Sequence, residues 1–431
     1  MLDIQFIRDN ADVVQEKSKQ KGYDVNIADL LKLDAERREL TGKIEALRAE
    51  RNQLADALKG GNPSQEQIER GREVKQQVAD AEALWEPVND SFLTLLKRVP
   101  NMPLDDVPVG ASEDDNVVSK QWGDRPQFDF EVKNHADIAE ARGWLDKERG
   151  AKIAGSRFVY LKGDLVLLEF ALWQFAFSKL TDEAVLGQII RDNNLDVSSK
   201  PFTPVLPPAV AKKAVFEATG RLNKEEQTYK LEDEDLWLNA SAEHTIAPMY
   251  LGEILAEEDF PLRYIGYTTA FRREAGTYGK DMEGIIRLHQ FNKLEMESFN
   301  LPEHSLQEHF FMVAIQEYLM QQLGLPYQVL TKCTADIGGP NARGVDIEAW
   351  LPGQGKYRET HTADYITDYQ ARRMQTKVRR RDGSVELVHT NDATAFSQRP
   401  LAAILENYQN ADGSVRVPDA LQPYIGGKTI I

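Results

Sequence analysis

Residues Phe271–Glu297 read FRREAGTYGKDMEGIIRLHQFNKLEME, and the rest of the chain can be ordered around them. The pattern is that of a strand, a Gly-containing loop and a second strand. Arg272 and Glu274 alternate onto one face of the first strand. Arg287, Gln290, Lys293 and Glu295 crowd the second, with Phe291 between them. Arginines and a lysine converging with a carboxylate and an aromatic ring suit a nucleotide, guanidinium for phosphate and ring for base. On charge pattern alone, an exposed hairpin laced with salt bridges fits equally.

Upstream, the first third of the chain has a different period. Leu33, Leu40, Leu47 and Leu54 recur every seven residues, with Ile44 and Leu58 on the intervening seam. A second run places Val74, Val78, Ala81, Trp85, Val88, Phe92, Leu95 and Val99 at alternating steps of three and four. Both are coiled-coil repeats. The breaker Lys59–Ser64 separates them, and Ser64 with Gln67 reads as a capping box opening the second helix. Two long helices joined by a short turn predict an antiparallel hairpin of roughly 45 Å. Pro87 predicts a kink in the second helix.

The acidic, turn-rich stretch 105–129 reads as a connector. From about Phe130 helical segments alternate with short β-like runs such as Phe158–Leu161 and Glu386–Val388, which suits an α+β domain on a mostly antiparallel sheet. The expected division is a helical arm over 1–104, with its long coiled coil at about 27–99, a connector over 105–129 and the α+β domain over 130–431.

The chain has 431 residues, 42% apolar and 28% charged, the composition of an ordinary soluble protein. No run of eighteen apolar residues is present, so no membrane span is expected. Met1–Asn10 carries Asp3, Arg8 and Asp9 and lacks the core of a signal peptide, which gives a cytoplasmic expectation. Cys333 is the single cysteine, which excludes an intrachain disulfide and suits a small buried residue. A net charge of −17 argues against a general nucleic-acid binder, yet leaves room for one RNA bound through a local patch.

F-R-x-E, a loop, then R-x-H-Q-F-x-K-x-E resembles motif 2 of the class II aminoacyl-tRNA synthetases, in its seryl form and bacterial type. LGLPYQVLTKCTADIG, DIEAWLPGQGKYRE, TDYQARR and LENYQ resemble successive blocks of the same family, so the likeness spans essentially the full length. The resemblance implies a helical coiled-coil arm followed by a class II catalytic domain. It also implies activation of L-serine with ATP and transfer of the seryl group to tRNA(Ser).

It implies site residues as well. Arg272 and Arg399 are the expected catalytic pair, Arg272 on the α-phosphate of ATP and Arg399 on the γ-phosphate from a helix start. Glu274, with Arg273 beside it, is expected to read the adenine amino group. Phe291 should stack on the base, with Arg287 near the terminal phosphates. Glu359, Thr360, His361 and Thr362 correspond to a segment that holds ATP and magnesium. Glu359 and Thr362 are the expected Mg²⁺ ligands, since carboxylate and hydroxyl are hard oxygen donors. Ser241, Ala242 and Glu243, together with Arg272, Glu295 and Asn391, correspond to the serine site. The roles of Glu243 and Glu295 stay open between the ammonium and the hydroxyl.

The clearest departure is NDATAFSQR, residues 391–399, which lacks the family's glycine. Counting from Arg399 puts Ala393 at the serine contact, whereas a one-residue deletion puts Thr394 there. Thr394 is preferred, because alanine leaves the substrate hydroxyl short of a partner. Pro207 and Pro208 match the proline ending motif 1, which implies a homodimer, although an ordinary strand-end turn also explains them. No Cys/His cluster at ligand spacing is present, so zinc is not expected. A paralogue that charges a carrier protein, and a purely structural coiled coil, are the competing readings. The arm disfavours the first and the density of motif 2 the second.

Overall fold

The computed structural model describes residues 1–58, 64–221, 227–274 and 284–431, in two compact units, Met1–Met102 and Pro103–Ile431. The breaker Lys59–Pro63 and most of the motif 2 loop lie outside the described residues.

In the first unit, two short helices, α1 (Ile4–Asp9) and α2 (Ala11–Gln20), precede two long ones, α3 (Ile27–Leu58) and α4 (Gln65–Arg98). At 1.5 Å per residue the long pair are each about 50 Å in length. They run antiparallel, since Thr41 accepts a hydrogen bond from Trp85 at 3.0 Å while Glu50 pairs with Arg70 at 2.6 Å. Ser64 caps α4 as its sequence foretells: Oγ accepts from Gln67 N–H, and the Gln67 side chain accepts from Ser64 N–H. The seam buries Leu30, Ile44, Val74, Val78, Ala81 and Phe92, whereas the leucines at 33, 40, 47 and 54 are half-buried. A two-helix arm has no third wall to close over them. Near its base Leu96, rather than Leu95, is the buried member. Helix α4 continues through Pro87 to Arg98.

The second unit is built on an eight-stranded sheet. In chain order the strands are β1 (Val117–Trp122), β2 (Thr203–Val205), β3 (Leu262–Phe271), β4 (Gln290–Asn300), β5 (Tyr327–Thr331), β6 (Arg343–Leu351), β7 (Lys356–Thr367) and β8 (His389–Ser397). Their spatial order is β1-β5-β6-β7-β8-β4-β3-β2, antiparallel throughout except for the parallel β2–β3 pair. The connecting segment is therefore more than a tether, because Val117–Trp122 forms one edge of this sheet. Its side chains are nearly all exposed, so no alternation marked it as a strand.

One face of the sheet carries the core. Leu294 and Met296 of β4 and Ala393 and Phe396 of β8 pack there with helices α5 (Asp164–Leu180), α7 (Ser305–Gln322) and α8 (Arg399–Asn407). Against the other face lies the short helix α6 (Glu243–Ile246). Its Ile246 occupies the space over Gly266, where a Cβ would stand 2.3 Å from Ile246 Cδ1. A glycine in mid-strand here lets α6 approach the sheet. Cys333 is buried, with its Sγ donating to Ser112 O.

Candidate active site

Alternation along a strand puts Lys293, Glu295 and Glu297 on the face of β4 opposite the core. Two β-bulges then re-aim residues that strict alternation would have buried. Between β6 and β7 the register slips at Thr360: His361 pairs with Ile347, but Glu359 pairs with Glu348. His361 is turned into the core, 5.7 Å from the Phe396 ring, while Glu359, Thr360 and Thr362 line the cleft. On β8 the register slips at Ala395, so Thr394 faces the cleft and Phe396 faces the core.

The resulting cleft is lined by Arg272, Glu274, Ile285, Ile286, Arg287, Leu288, Phe291, Lys293, Glu359, Thr360, Thr362, Thr394, Ser397, Gln398 and Arg399. It is a pocket with three guanidinium groups and few apolar walls. Arg272 continues the line of β3, donating its backbone N–H to His289 O and its Nε to Ala240 O. Its guanidinium stands 5.3 Å from the Phe291 ring centroid. Burial lowers the Arg272 pKa, and the neighbouring Arg399 adds to the effect. Two cations held together in a dry cleft gain from a polyanion between them.

Arg399 is the first residue of α8, and its Nη1 meets Glu359 Oε2 at 3.0 Å. Arg287 pairs with Glu274, which sits at positive φ immediately before the undescribed loop. Burial works to raise the Glu359 carboxyl, but Arg399 and then Lys332 outweigh it and hold it down at about 2. Thr362 Oγ1 is buried beside Asp346, its partner across the β6–β7 ladder, whose carboxyl pKa it helps to lower.

Deeper under α6 lies a second cluster. Lys293 Nζ reaches Glu295 at 2.5 Å and donates to Ser241 Oγ at 3.3 Å. Glu243 accepts from Arg221 Nε at 2.6 Å and from Gln370 Nε2 at 3.2 Å. Burial works to raise the Glu243 pKa, but Arg221, with His244 and Lys293 beside it, outweighs this and holds it at about 2. Burial, with the charges of Arg221, Arg272 and Lys293 adding to it, pushes the adjacent His244 down to about 3, and its Nδ1 accepts from Ala240 N–H.

Most of the residues expected from sequence thus gather on one side of the sheet, though not all. Asn391 points to the other side, where its Nδ2 donates to Ser305 O. His361 faces the core, as just described. Arg273 is exposed and lies 6.0 Å from the Tyr229 ring, away from the cleft. Ala393 packs in the core and Thr394 in the cleft, because neighbours in a strand face opposite ways. Sequence reasoning missed Arg221, Asp392 and Glu297, which cluster beside Glu243. The available signal was spacing, since Asp392 and Glu297 lie two residues from Thr394 and Glu295 on the same strand faces.

Comparison with known proteins follows this geometry. Residues 1–103 match the seryl-tRNA synthetase N-terminal domain, and 226–408 match the tRNA synthetase class II core domain (G, H, P, S and T). A serine–tRNA ligase of Syntrophotalea carbinolica is 40% identical over 433 residues, covering 99% of each chain. That of Thermotoga neapolitana is 40% identical over 442 residues, covering both chains fully. Among solved structures, seryl-tRNA synthetase from Pyrococcus horikoshii complexed with ATP superposes with a TM-score of 0.87 at 37% identity, covering 100% of this chain and 99% of that one. The cytoplasmic enzyme of Naegleria fowleri in complex with AMP gives 0.81 at 27% identity, covering 98% and 95%.

Proposed function

The chain belongs to the seryl-tRNA synthetase family, and from that premise we propose how its residues divide the work. It is a ligase that joins L-serine to ATP, releasing pyrophosphate, and passes the seryl group from the adenylate to the 3′ end of tRNA(Ser). The serine carboxylate is the nucleophile, so the enzyme has only to position two substrates and neutralise charge. Arg272 holds the α-phosphate and Arg399 the γ-phosphate, the two groups that gain charge or leave with it. Phe291 takes a face of the adenine, Glu274 its amino group, and Arg287 the terminal phosphates. The observation that carries this reading is the placing of Arg272, Arg399 and Phe291 in one cleft.

Serine sits deeper, between Ser241–Glu243 of the α6 entry, Glu295 and Thr394. The residues fit a magnesium ion: Glu359 offers a carboxylate and Thr362 a hydroxyl on the same cleft, both hard oxygen donors. Bound there, Mg²⁺ would offset phosphate charge. The arm binds tRNA, since a thin two-helix hairpin has no pocket yet can span much of an RNA helix.

The protein acts as a homodimer through its motif 1 surface. Leu206, which follows the edge strand β2, is 80% exposed, and Leu167 and Phe170 on α5 are 46% and 49% exposed. Among the described residues no helix is long and apolar enough to cross a membrane, and the reading is of a cytoplasmic enzyme. Pyrophosphate exchange with ATP, run across all amino acids, tests the function. Serine alone should support exchange, and exchange driven better by another amino acid would overturn the reading.

A further inference from the structure

Arg221 stands just after α-helical residues that end at Thr219 and Gly220, and no part of the reading so far uses it. Its guanidinium is held between α6 and the sheet. Nε meets Glu243 Oε1 at 2.6 Å, and Nη2 meets Asp392 Oδ2 at 2.8 Å, with Asp364 at 3.7 Å. Glu243 opens α6, above the sheet, while Asp392 lies in β8, within the sheet, two residues before Thr394 and on the same face. Across the ladder from Asp392 stands Glu297, fully buried, neither of whose carboxylate oxygens has a hydrogen-bond partner. Arg221 is thus in contact with three of four clustered acids, of which Asp392 and Glu297 are pushed well above the usual carboxylate range by burial.

We propose that Arg221 is a positioning residue for the amino-acid substrate: by bridging Glu243 to Asp392 it keeps Glu243 charged and fixes α6 against the strand that carries Thr394. The inference rests on the assignment of Glu243 and Thr394 to the serine pocket. Without Arg221, Glu243 loses its counterion and its tie to Asp392, and it can relax only by taking up a proton or water. A neutral Glu243 no longer attracts a substrate ammonium, and an unanchored α6 no longer sets the distance from Glu243 to Thr394. Both effects act on serine. Arg399 and Phe291 lie outside both, and Arg272, which touches the α6 entry at Ala240 O, keeps its backbone bond to His289, so ATP is spared. Lysine cannot replace the bridge fully, because one ammonium lacks the forked donors that span two carboxylates.

Three single variants of the full chain, Arg221→Met, Arg221→Lys and Glu243→Gln, and the Arg221→Met/Glu243→Gln double variant test this by serine-dependent pyrophosphate exchange. Arg221→Met should raise the KM for serine about 10- to 100-fold and leave the KM for ATP within twofold. Arg221→Lys should recover part of the loss. In a Glu243→Gln background Arg221→Met should add little, since its effect runs through Glu243. If Glu243→Gln leaves the serine KM at the wild-type value, the pocket assignment fails and the inference with it. If Glu243→Gln raises it and Arg221→Met does not, the pocket stands and the inference alone is overturned. Equal rises in both KM values would mark Arg221 as merely structural and also overturn it. Should Arg221→Met fail to fold, Arg221→Lys decides: a raised serine KM with normal ATP KM supports the inference, and unchanged values overturn it.

Discussion

Glu295 and Thr394 stand directly opposite one another on β4 and β8, both facing away from the core. A carboxylate and a hydroxyl facing each other across a ladder can hold the two ends of a small polar substrate, an ammonium and an alcohol. Thr394→Val removes the hydroxyl at nearly constant volume, so it should raise the KM for serine about 5- to 30-fold, on the order of 1–2 kcal/mol. ATP binding should hold. Steady-state exchange kinetics check this, and an unchanged serine KM and kcat would return the contact to the backbone.

The paired arginines give a second expectation. Arg272→Ala or Arg399→Ala should cost roughly 2–4 kcal/mol of transition-state stabilisation, about 30- to 1000-fold in exchange rate. A folded variant of either residue that exchanges at the wild-type rate would remove the phosphate assignment.

Away from the site, Arg263 and Glu308 form a fully buried bidentate pair at 2.6 and 2.7 Å. Arg263 also donates to Ser198 O and Lys200 O, which ties the segment before β2 to β3 and α7. Arg263→Met strands a buried carboxylate and two carbonyls and should lower stability by about 3–5 kcal/mol. Urea unfolding measures it, and a loss below about 1 kcal/mol would show that the segment finds other partners.

The dimer is tested by sedimentation. The wild-type protein should run at twice its 48.8 kDa chain mass, and Phe170→Glu should shift it toward the monomer. A wild-type mass of one chain, independent of concentration, would exclude the dimer.

Deleting the arm separates the two reactions. From Ile27 to Arg98 there are 12 Lys+Arg against 14 Asp+Glu, a net of −2 in a chain of −17. The arginines at 38, 51 and 72 can therefore contribute to a local phosphate-binding strip. Joining the ends of the hairpin should leave serine-dependent exchange within a few-fold and lower tRNA charging by orders of magnitude. Binding of tRNA to the intact protein should weaken steeply with salt. Normal charging by the truncated enzyme would mean that the arm serves another partner.

What the sequence determined by itself is what depends on short range. The seven-residue recurrence of leucines specifies two helices that pair, because i, i+3 and i+4 neighbours share a face. Ser64 and Gln67 specify where α4 starts, because a capping box closes within four residues. The density of chemistry in Phe271–Glu297 pointed to Arg272 and Phe291, and the alternation of Lys293 and Glu295 survives in β4. Tertiary structure decided the rest. Bulges at Thr360 and Ala395 flip the faces of β7 and β8, so Glu359 reaches the cleft and His361 does not. A bulge arises from a mismatch with the neighbouring strand, which no single segment encodes. Arg221 was invisible for the same reason. Its partners Glu243, Asp364 and Asp392 come from three separate segments, and only the folded sheet with α6 laid across it brings their charges within reach of one guanidinium.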